Sequence, residues 1–520
     1  MKIPFAPKSR FSLAVVVLAS VPLSSTMALA QNPSCAALLK ANYADVTITA
    51  ADEVAAGKLW ADEPAGPAFQ RRISPKHAFC RIQGVIEREI GFELWLPTAQ
   101  EWNGKFLAGG VGGDAGTYNY ADLPRGIDRG YAAATTDTGH KAADGNWMLG
   151  DAMRLPNFEY RAHHQLAVKS KQIIADYYSG KLQHAYFVGC SGGGRQGLKE
   201  MQKFPEDYDG ILVGAAGPKT PEMTTRRMWE LLLRDNNPGV MSPQDWTLVQ
   251  QNAIQSCDAI DGVKDGIAEN PRQCSLNIDA LACKSDKTAQ CLTTRQIAFA
   301  RRFYEPMLDE NGKAIDSGLL PGVLVDSGRS RLAPATFGQA LRKTAEWDGK
   351  DFSVKNDLPA IRRVMPDLAA DQMDISAFVK RGGKFIQYSG WMDPAVPANM
   401  VVEYHDAVAE AAGGRGKAAE FARLYMIPGM YHCAGGPGAD RFGGAGGDGT
   451  SLDAQHDLLT ALEQWIEHGK APGSIIAAKM AQDKVVRTHL VCPYPQSAHF
   501  LGGDPDVASS YECRNSDGGK

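Results

Sequence analysis

The run His184-Ala185-Tyr186-Phe187-Val188-Gly189-Cys190-Ser191-Gly192-Gly193-Gly194-Arg195 passes from apolar to glycine-rich at its middle. Ala185 to Val188 reads as a short buried strand, and Gln196 to Phe204 as a helix. Between them Gly189-Cys190-Ser191-Gly192-Gly193 fits G-x-S-x-G, the sharp strand-to-helix turn that carries a nucleophilic serine at its apex. Glycines flank the serine because a strained turn leaves no room for Cβ atoms beside it. Glycine-rich turns containing serine are common, so the pattern alone says little. The strand before it and the helix after it make Ser191 a candidate nucleophile.

Working outward, Phe79 to Ile86 and Ile90 to Leu96 read as two strands joined by a charged turn, and Lys105 to Ala108 as a third. The third runs into Gly109-Gly110-Val111-Gly112-Gly113-Asp114-Ala115-Gly116, a loop of bare backbone. Such a loop can cradle a phosphate, but no G-K-[ST] follows it. Beside a serine elbow, the loop after an early strand supplies the second oxyanion N–H, which is the preferred reading. Gly130 to Thr136 is a further buried strand, residues 157–178 a helix, and Gly210 to Pro218 one more apolar strand. Strands alternating with helices predict a mainly parallel α/β sheet. Residues 31–60 read as a polar lead-in.

From about Lys219 to Asp374 the alternation stops, charges and tryptophans accumulate, and the stretch reads as an inserted lid. The sheet pattern returns at Gly383 to Tyr388 and again at Arg423 to Ile427, with helices expected over 395–411 and 452–467. A serine nucleophile needs a histidine base, and the base needs an acid that fixes its tautomer. Behind an elbow of this kind the chain order is Ser, then Asp or Glu, then His, each in a loop after a strand. Asp393 follows one late strand and His432 the next. Spacing leaves open that Asp393 is only a turn residue before Pro394. His405 and His456 read as surface residues of helices, and His140, His163 and His164 as structural. If Ser191 and His432 touch, Cys190 and Cys433 come within bonding range, which requires Cα atoms about 4.4–6.8 Å apart.

Asp258-Ala259-Ile260-Asp261-Gly262-Val263-Lys264-Asp265-Gly266-Ile267 is an oxygen-rich turn. Calcium takes six to eight oxygen ligands, backbone carbonyls included. The side chains of Asp258, Asp261 and Asp265 with the carbonyls of Val263 and Ile267 form a candidate structural calcium site. The loop lacks the terminal Glu of an EF-hand, and the bland alternative is a solvated Asp-Gly turn.

The chain has 520 residues, 44% apolar and 22% charged, as a globular protein does. Lys2, Lys8 and Arg10, then the apolar run Phe11 to Val21, then Ala28-Leu29-Ala30 have the form of a secretory signal peptide over residues 1–30. Its removal takes away three basic residues and no acidic one, moving the formal charge from −4 to −7. That balance argues against a nucleic-acid partner. No other stretch approaches the 18 apolar residues of a membrane span. All ten cysteines follow the leader, an even number in an exported chain, which predicts disulfides. No C-x-x-C occurs, so zinc is not expected. Sequence proximity favours Cys257 with Cys274, Cys283 with Cys291, and Cys492 with Cys513, without settling the pairing.

Taken together these residues resemble the tannase and feruloyl esterase family, which includes the mono(hydroxyethyl) terephthalate hydrolases. The match runs through Trp102 to Phe106, Gly110 to Gly116, Asp137 to His140, Tyr160 to Ala162, Gly189 to Gly197, Phe204 to Gly210, and Asp393 with Pro397. The Cys-Ser and His-Cys pairs are specific to it. The resemblance implies an α/β-hydrolase core (residues 31–218 and 375–520) with an inserted lid domain (219–374) that carries the calcium loop. It implies a triad of Ser191, Asp393 and His432, oxyanion donors at Gly192 and Gly112, and calcium held at the five positions named above. It implies disulfides Cys35–Cys80, Cys190–Cys433, Cys257–Cys274, Cys283–Cys291 and Cys492–Cys513. The expected activity is hydrolysis of small aromatic-acid esters, feruloyl or galloyl, by a secreted or periplasmic serine esterase. Terephthalate monoesters are the alternative, although Val396 stands where some hydrolases of that kind carry an aromatic. A calcium-stabilised binding protein on a dead scaffold is the other reading, against which the intact Ser, Asp and His stand. In the lid, Arg342, Lys343, Trp347 and Phe352 are weak candidates for substrate contact.

Overall fold

The computed structural model describes residues 1–5, 34–58, 74–325, 332–445 and 447–515. Beyond its first five residues, the expected signal peptide lies outside them. Among the described residues nine strands form one sheet: β1 (Val46–Val54), β2 (Phe79–Ile86), β3 (Ile90–Pro97), β4 (Lys105–Gly109), β5 (Ala132–Thr136), β6 (His184–Cys190), β7 (Gly210–Gly214), β8 (Lys384–Gly390) and β9 (Ala422–Ile427). Their order is β1-β2-β3-β5-β4-β6-β7-β8-β9. The first three strands and the β3–β5 pair are antiparallel, and everything from β5 to β9 is parallel. With its helices this is the α/β-hydrolase type of architecture.

The parallel strands are apolar along their whole length because both faces are covered. Phe106, Phe187, Ile211 and Val213 face the helices Ala162–Tyr178 and Gly192–Lys203. The alternate residues Leu107, Tyr186, Val188 and Leu212 face the helix Leu458–His468 through Leu458, Leu459, Leu462 and Trp465. At about 25 cal/mol per Å² of apolar surface, these two layers are the main source of stability and fix the carboxyl ends of the strands.

Between β7 and β8 the described residues contain helices, among them Thr220–Asp235, Pro243–Cys257, Thr294–Tyr304 and Val354–Val364, and no strand of the sheet. This inserted segment packs Trp246, Phe299 and Phe303 into one cluster with Trp391, Val396 and Leu424 of the sheet end. Five disulfides join Cys35–Cys80, Cys190–Cys433, Cys257–Cys274, Cys283–Cys291 and Cys492–Cys513, and no described cysteine is free.

Several expectations need correction. The supposed polar lead-in contains β1, an edge strand whose residues alternate between half-buried and exposed, so no apolar run announces it. After residue 470, where no strand is expected, β10 (Ile475–Ala481) pairs with β11 (Lys484–Val491), and β12 (Gln496–Phe500) with β13 (Tyr511–Asn515). The helix expected from residue 452 starts at Leu458, where the Asp457 side chain accepts the N–H of Thr460. The helix expected from Ala395 starts at Ala398, after Pro397. His405 is not a surface residue; burial pushes its imidazole down to about 4.

Candidate active site

β6 delivers the chain to Ser191, whose φ of 61° and ψ of −122° lie where side chains are rarely tolerated. Two close approaches enforce the flanking glycines. A Cβ on Gly193 would sit 2.8 Å from the carbonyl carbon of Gly110, and one on Gly194 2.6 Å from the oxygen of Gly214. The helix Gly192–Lys203 begins immediately after the serine, four residues before the expected Gln196. Its first turn therefore places unbonded N–H groups beside the serine.

The loop after β8 carries Asp393 and the loop after β9 carries His432. His432 Nδ1 lies 2.8 Å from Asp393 Oδ2. Asp393 is fully buried, and its Oδ1 accepts the N–H groups of Ala395 at 2.7 Å and Val396 at 2.9 Å. Both carboxylate oxygens are thus occupied and the imidazole is held through Nδ1, which leaves Nε2 for a nucleophile. The Cys190–Cys433 disulfide, with Cα atoms 6.1 Å apart, ties the residue before Ser191 to the residue after His432.

Ser191, Gly192 and His432 line one cavity of about 290 Å³. Of the candidate oxyanion pair, Gly192 is on the wall, but the glycine loop faces the cavity with Gly113 and Asp114. Gly112 sits just behind and its carbonyl accepts the N–H of Ala115. Phe158, Met223, Leu332 and Val396 make the wall largely apolar. A larger crevice of about 620 Å³ over Tyr43, Glu87 and Asp151 holds none of these groups.

Three charged wall residues were not singled out by sequence. Arg195, one turn after the serine, is buried; its guanidinium donates to the carbonyls of Glu159 at 2.9 Å and Phe158 at 3.0 Å. Burial draws it down to about 10, against the attraction of Glu159 and Asp114. Burial pushes Asp114 up to about 6, opposed by Arg195 and Arg227. Arg195 and Asp114 lay inside motifs read for their glycines, whereas Arg227 follows no motif. The lid candidates are not on this wall. Arg342 pairs with Asp357 at 2.7 and 2.9 Å and lies over Trp347, while Trp347 and Phe352 pack on Phe337. Trp347 and Phe352, half-buried, cover the core of the insertion around Phe337, and Lys343 is exposed.

In the acidic turn, Asp258 Oδ1 accepts the N–H groups of Asp265 at 3.0 Å and Gly266 at 2.8 Å. Asp261 and Asp265 accept those of Val263 and Ile267. Burial, then the nearby Glu269 and Asp265, push Asp261 up to about 6. Among the described residues no three His, Cys, Asp or Glu side chains converge into a metal cage. The donor set is nevertheless all oxygen, half-buried and electrostatically crowded, which is the chemistry a hard cation relieves. The residues fit calcium if backbone carbonyls and water complete the shell.

A serine at a strained elbow and a part-buried Asp–His pair on one cavity, on this sheet, fit a carboxylic ester hydrolase of the α/β-hydrolase type. More closely, the family model for tannase and feruloyl esterase matches residues 77–328 and 337–514, and the chain belongs to that family. It is 32% identical to an uncharacterized esterase of Xanthomonas campestris pv. campestris, over 93% of this chain and 91% of that one. It is 30% identical to a probable feruloyl esterase B-1 of Aspergillus flavus, over 84% and 86%. The crystal structure of feruloyl esterase B from Aspergillus oryzae superposes with a TM-score of 0.86 at 28% identity, covering 92% of this chain and 99% of that one. The tannin acyl hydrolase of Aspergillus niger shares the fold, with a TM-score of 0.71 at 20% identity over 91% and 92% of the two chains.

Proposed function

We propose that the protein is an exported serine esterase that cleaves small aromatic-acid esters of feruloyl or galloyl type through an acyl-enzyme. The observation that carries this reading is the hydrogen bond from half-buried His432 to buried Asp393, opening onto the same cavity as Ser191.

In this mechanism Ser191 Oγ attacks the ester carbonyl while His432 Nε2 takes its proton. Asp393 holds the ring through Nδ1 and stabilises the imidazolium. The oxyanion is received by the N–H of Gly192 and by a backbone N–H of the Gly112–Asp114 turn, donors worth about 2.7–4 kcal/mol each. His432 returns the proton to the departing alcohol. Water, deprotonated by the same imidazole, then releases the aromatic acid and frees Ser191. The apolar walls at Phe158 and Val396 suit an aryl group.

Calcium in the Asp258–Ile267 turn, held by Asp258, Asp261 and Asp265 and by the carbonyls of Val263 and Ile267, would neutralise the carboxylates and stiffen the insertion. It takes no part in acyl transfer. Export is supported by the amino-terminal leader pattern and by the five disulfides. No described helix is long and apolar enough to cross a membrane.

The test is kcat/KM on methyl ferulate, methyl gallate and hydroxyethyl terephthalate for the wild type and Ser191→Ala. The variant is expected to lose hydrolysis of all three while keeping its circular dichroism and melting temperature. Turnover retained by Ser191→Ala would overturn the triad.

A further inference from the structure

The inserted helix Thr220–Asp235 presents Thr220, Met223, Thr224 and Arg227 to the cavity. These positions recur at i, i+3, i+4 and i+7, so they form a single stripe and make one wall. Arg227 is half-buried at the end of that stripe. One of its N–H groups donates to the carbonyl of Ala395, two residues past Asp393. Among the described residues that is the only hydrogen bond of its side chain, which joins no ion pair. A guanidinium has five donors, so several are left toward the cavity. Its neighbours on the wall and on the helix differ. Arg195 is buried against two backbone carbonyls. Arg226 is spent on Asp316 at 2.7 Å and Glu230 at 2.9 Å. Among the described residues the wall holds two guanidiniums, Arg195 and Arg227, against one carboxylate, Asp114. The unspent positive charge is therefore at Arg227, on the wall of the same largely apolar cavity as Ser191. A planar guanidinium in such a place matches a carboxylate by two parallel N–H···O bonds.

We propose that Arg227 is a specificity-determining residue that selects esters carrying a free carboxylate elsewhere in the same molecule, on the acyl or the alcohol portion. This rests on the reading of Ser191 as the place where the ester carbonyl sits.

The test compares charge at constant shape. For the acyl side, monomethyl terephthalate is paired with methyl 4-carbamoylbenzoate; for the alcohol side, benzoyloxyacetate is paired with benzoyloxyacetamide. In the wild type the acidic member of at least one pair should be preferred, and that pair identifies the portion recognised. In Arg227→Met the preference should fall about 10- to 100-fold, as expected for a hydrogen-bonded charge, mainly through KM. The neutral member should change less than about 3-fold, and Arg227→Lys should restore part of the preference. Equal loss on both members would mean that Arg227 only braces the Asp393 loop through Ala395, and would overturn the proposal. So would a wild type that prefers neither acidic ester. If no ester is turned over, the esterase reading fails by itself. Calorimetric binding of terephthalate against 4-carbamoylbenzoate, and of glycolate against glycolamide, then decides Arg227: a carboxylate preference lost in Arg227→Met supports it, and no preference overturns it.

Discussion

The loops that end β6, β8 and β9 and the segment inserted after β7 face each other across one cavity, yet they are held by different means. The strand-end loops are fixed by backbone: Ser191 at a forced φ, Gly193 and Gly194 against neighbouring carbonyls, Asp393 on two N–H groups. The insertion behind the facing wall is held by side chains, such as Arg226 on Asp316 and Arg342 on Asp357. A backbone-built site admits few sequences and so leaves a motif. A side-chain-built wall can be rebuilt many ways and leaves none. Chemistry should therefore be fragile on the first side, and selectivity adjustable on the second.

The largest effect should come from Asp393→Asn. The amide keeps the shape but favours the wrong imidazole tautomer, a change worth about 10⁴ in kcat in serine proteases. The same fall is expected here on a neutral ester, with KM nearly unchanged and the circular dichroism intact. A loss under about 10-fold would mean that the strand-end loops are no more exacting than the inserted wall.

Next in size is a contrast between two disulfides. Cys190–Cys433 closes a separation of 243 residues inside the catalytic loops, and Cys283–Cys291 closes 8 inside the insertion. Loop-closure entropy grows with length, and loss of a native disulfide costs about 2–5 kcal/mol. The double variant Cys190→Ser/Cys433→Ser should lose stability toward the top of that range and slow kcat. Cys283→Ser/Cys291→Ser should lose less stability and keep kcat. Denaturant melts and kcat on methyl ferulate check both; a reversed order would break the distinction between the two regions.

The same distinction governs what could be read from sequence. The elbow, the glycine loop, Asp393 and His432 were legible because each sits at a strand end where geometry restricts residue type. The central strands were legible because burial on both faces makes Phe385 to Tyr388 or Gly210 to Gly214 nearly continuous in apolar character. β1 escaped because Val46-Thr47-Ile48-Thr49 alternates along an edge and then becomes polar. β10 to β13 escaped because their pairing, tied across by Cys492–Cys513, is not written in any one of them. Arg227 escaped because its role depends on which helix face the fold turns inward.

Removal of the proposed calcium tests whether the insertion's stiffness matters to the chemistry. Adding a chelator should lower the melting temperature, with a stability loss of about 2.7 kcal/mol for a site initially held at a hundred times its Kd. At temperatures where the protein stays folded, kcat/KM on methyl ferulate should change little, because the acidic turn contributes nothing to the cavity wall. Asp261→Asn should abolish the chelator's effect. An unchanged melting temperature with metal demonstrably removed would eliminate the site.

The smallest effect belongs to Asp114, where the two regions meet: it lies on the glycine loop but faces Arg195 on the elbow helix and Arg227 on the inserted one. Burial raises its carboxyl to about 6. A carboxyl is negative above its pKa and neutral below it, so at pH 7.5 Asp114 opposes an anionic ligand near Arg227, and at pH 5 it does not. Terephthalate stays largely ionised over that interval. Its affinity should therefore rise as pH falls from 7.5 to 5, by about 5-fold for a single charge at cavity distances in a partly screened site. Calorimetry is run in a His432→Gln background, because that imidazole shares the cavity with the bound anion. In Asp114→Asn the affinity should be high and flat across the same range. Affinity that falls with acidification would place the bound anion away from Asp114, and with it away from the junction of loop and inserted wall.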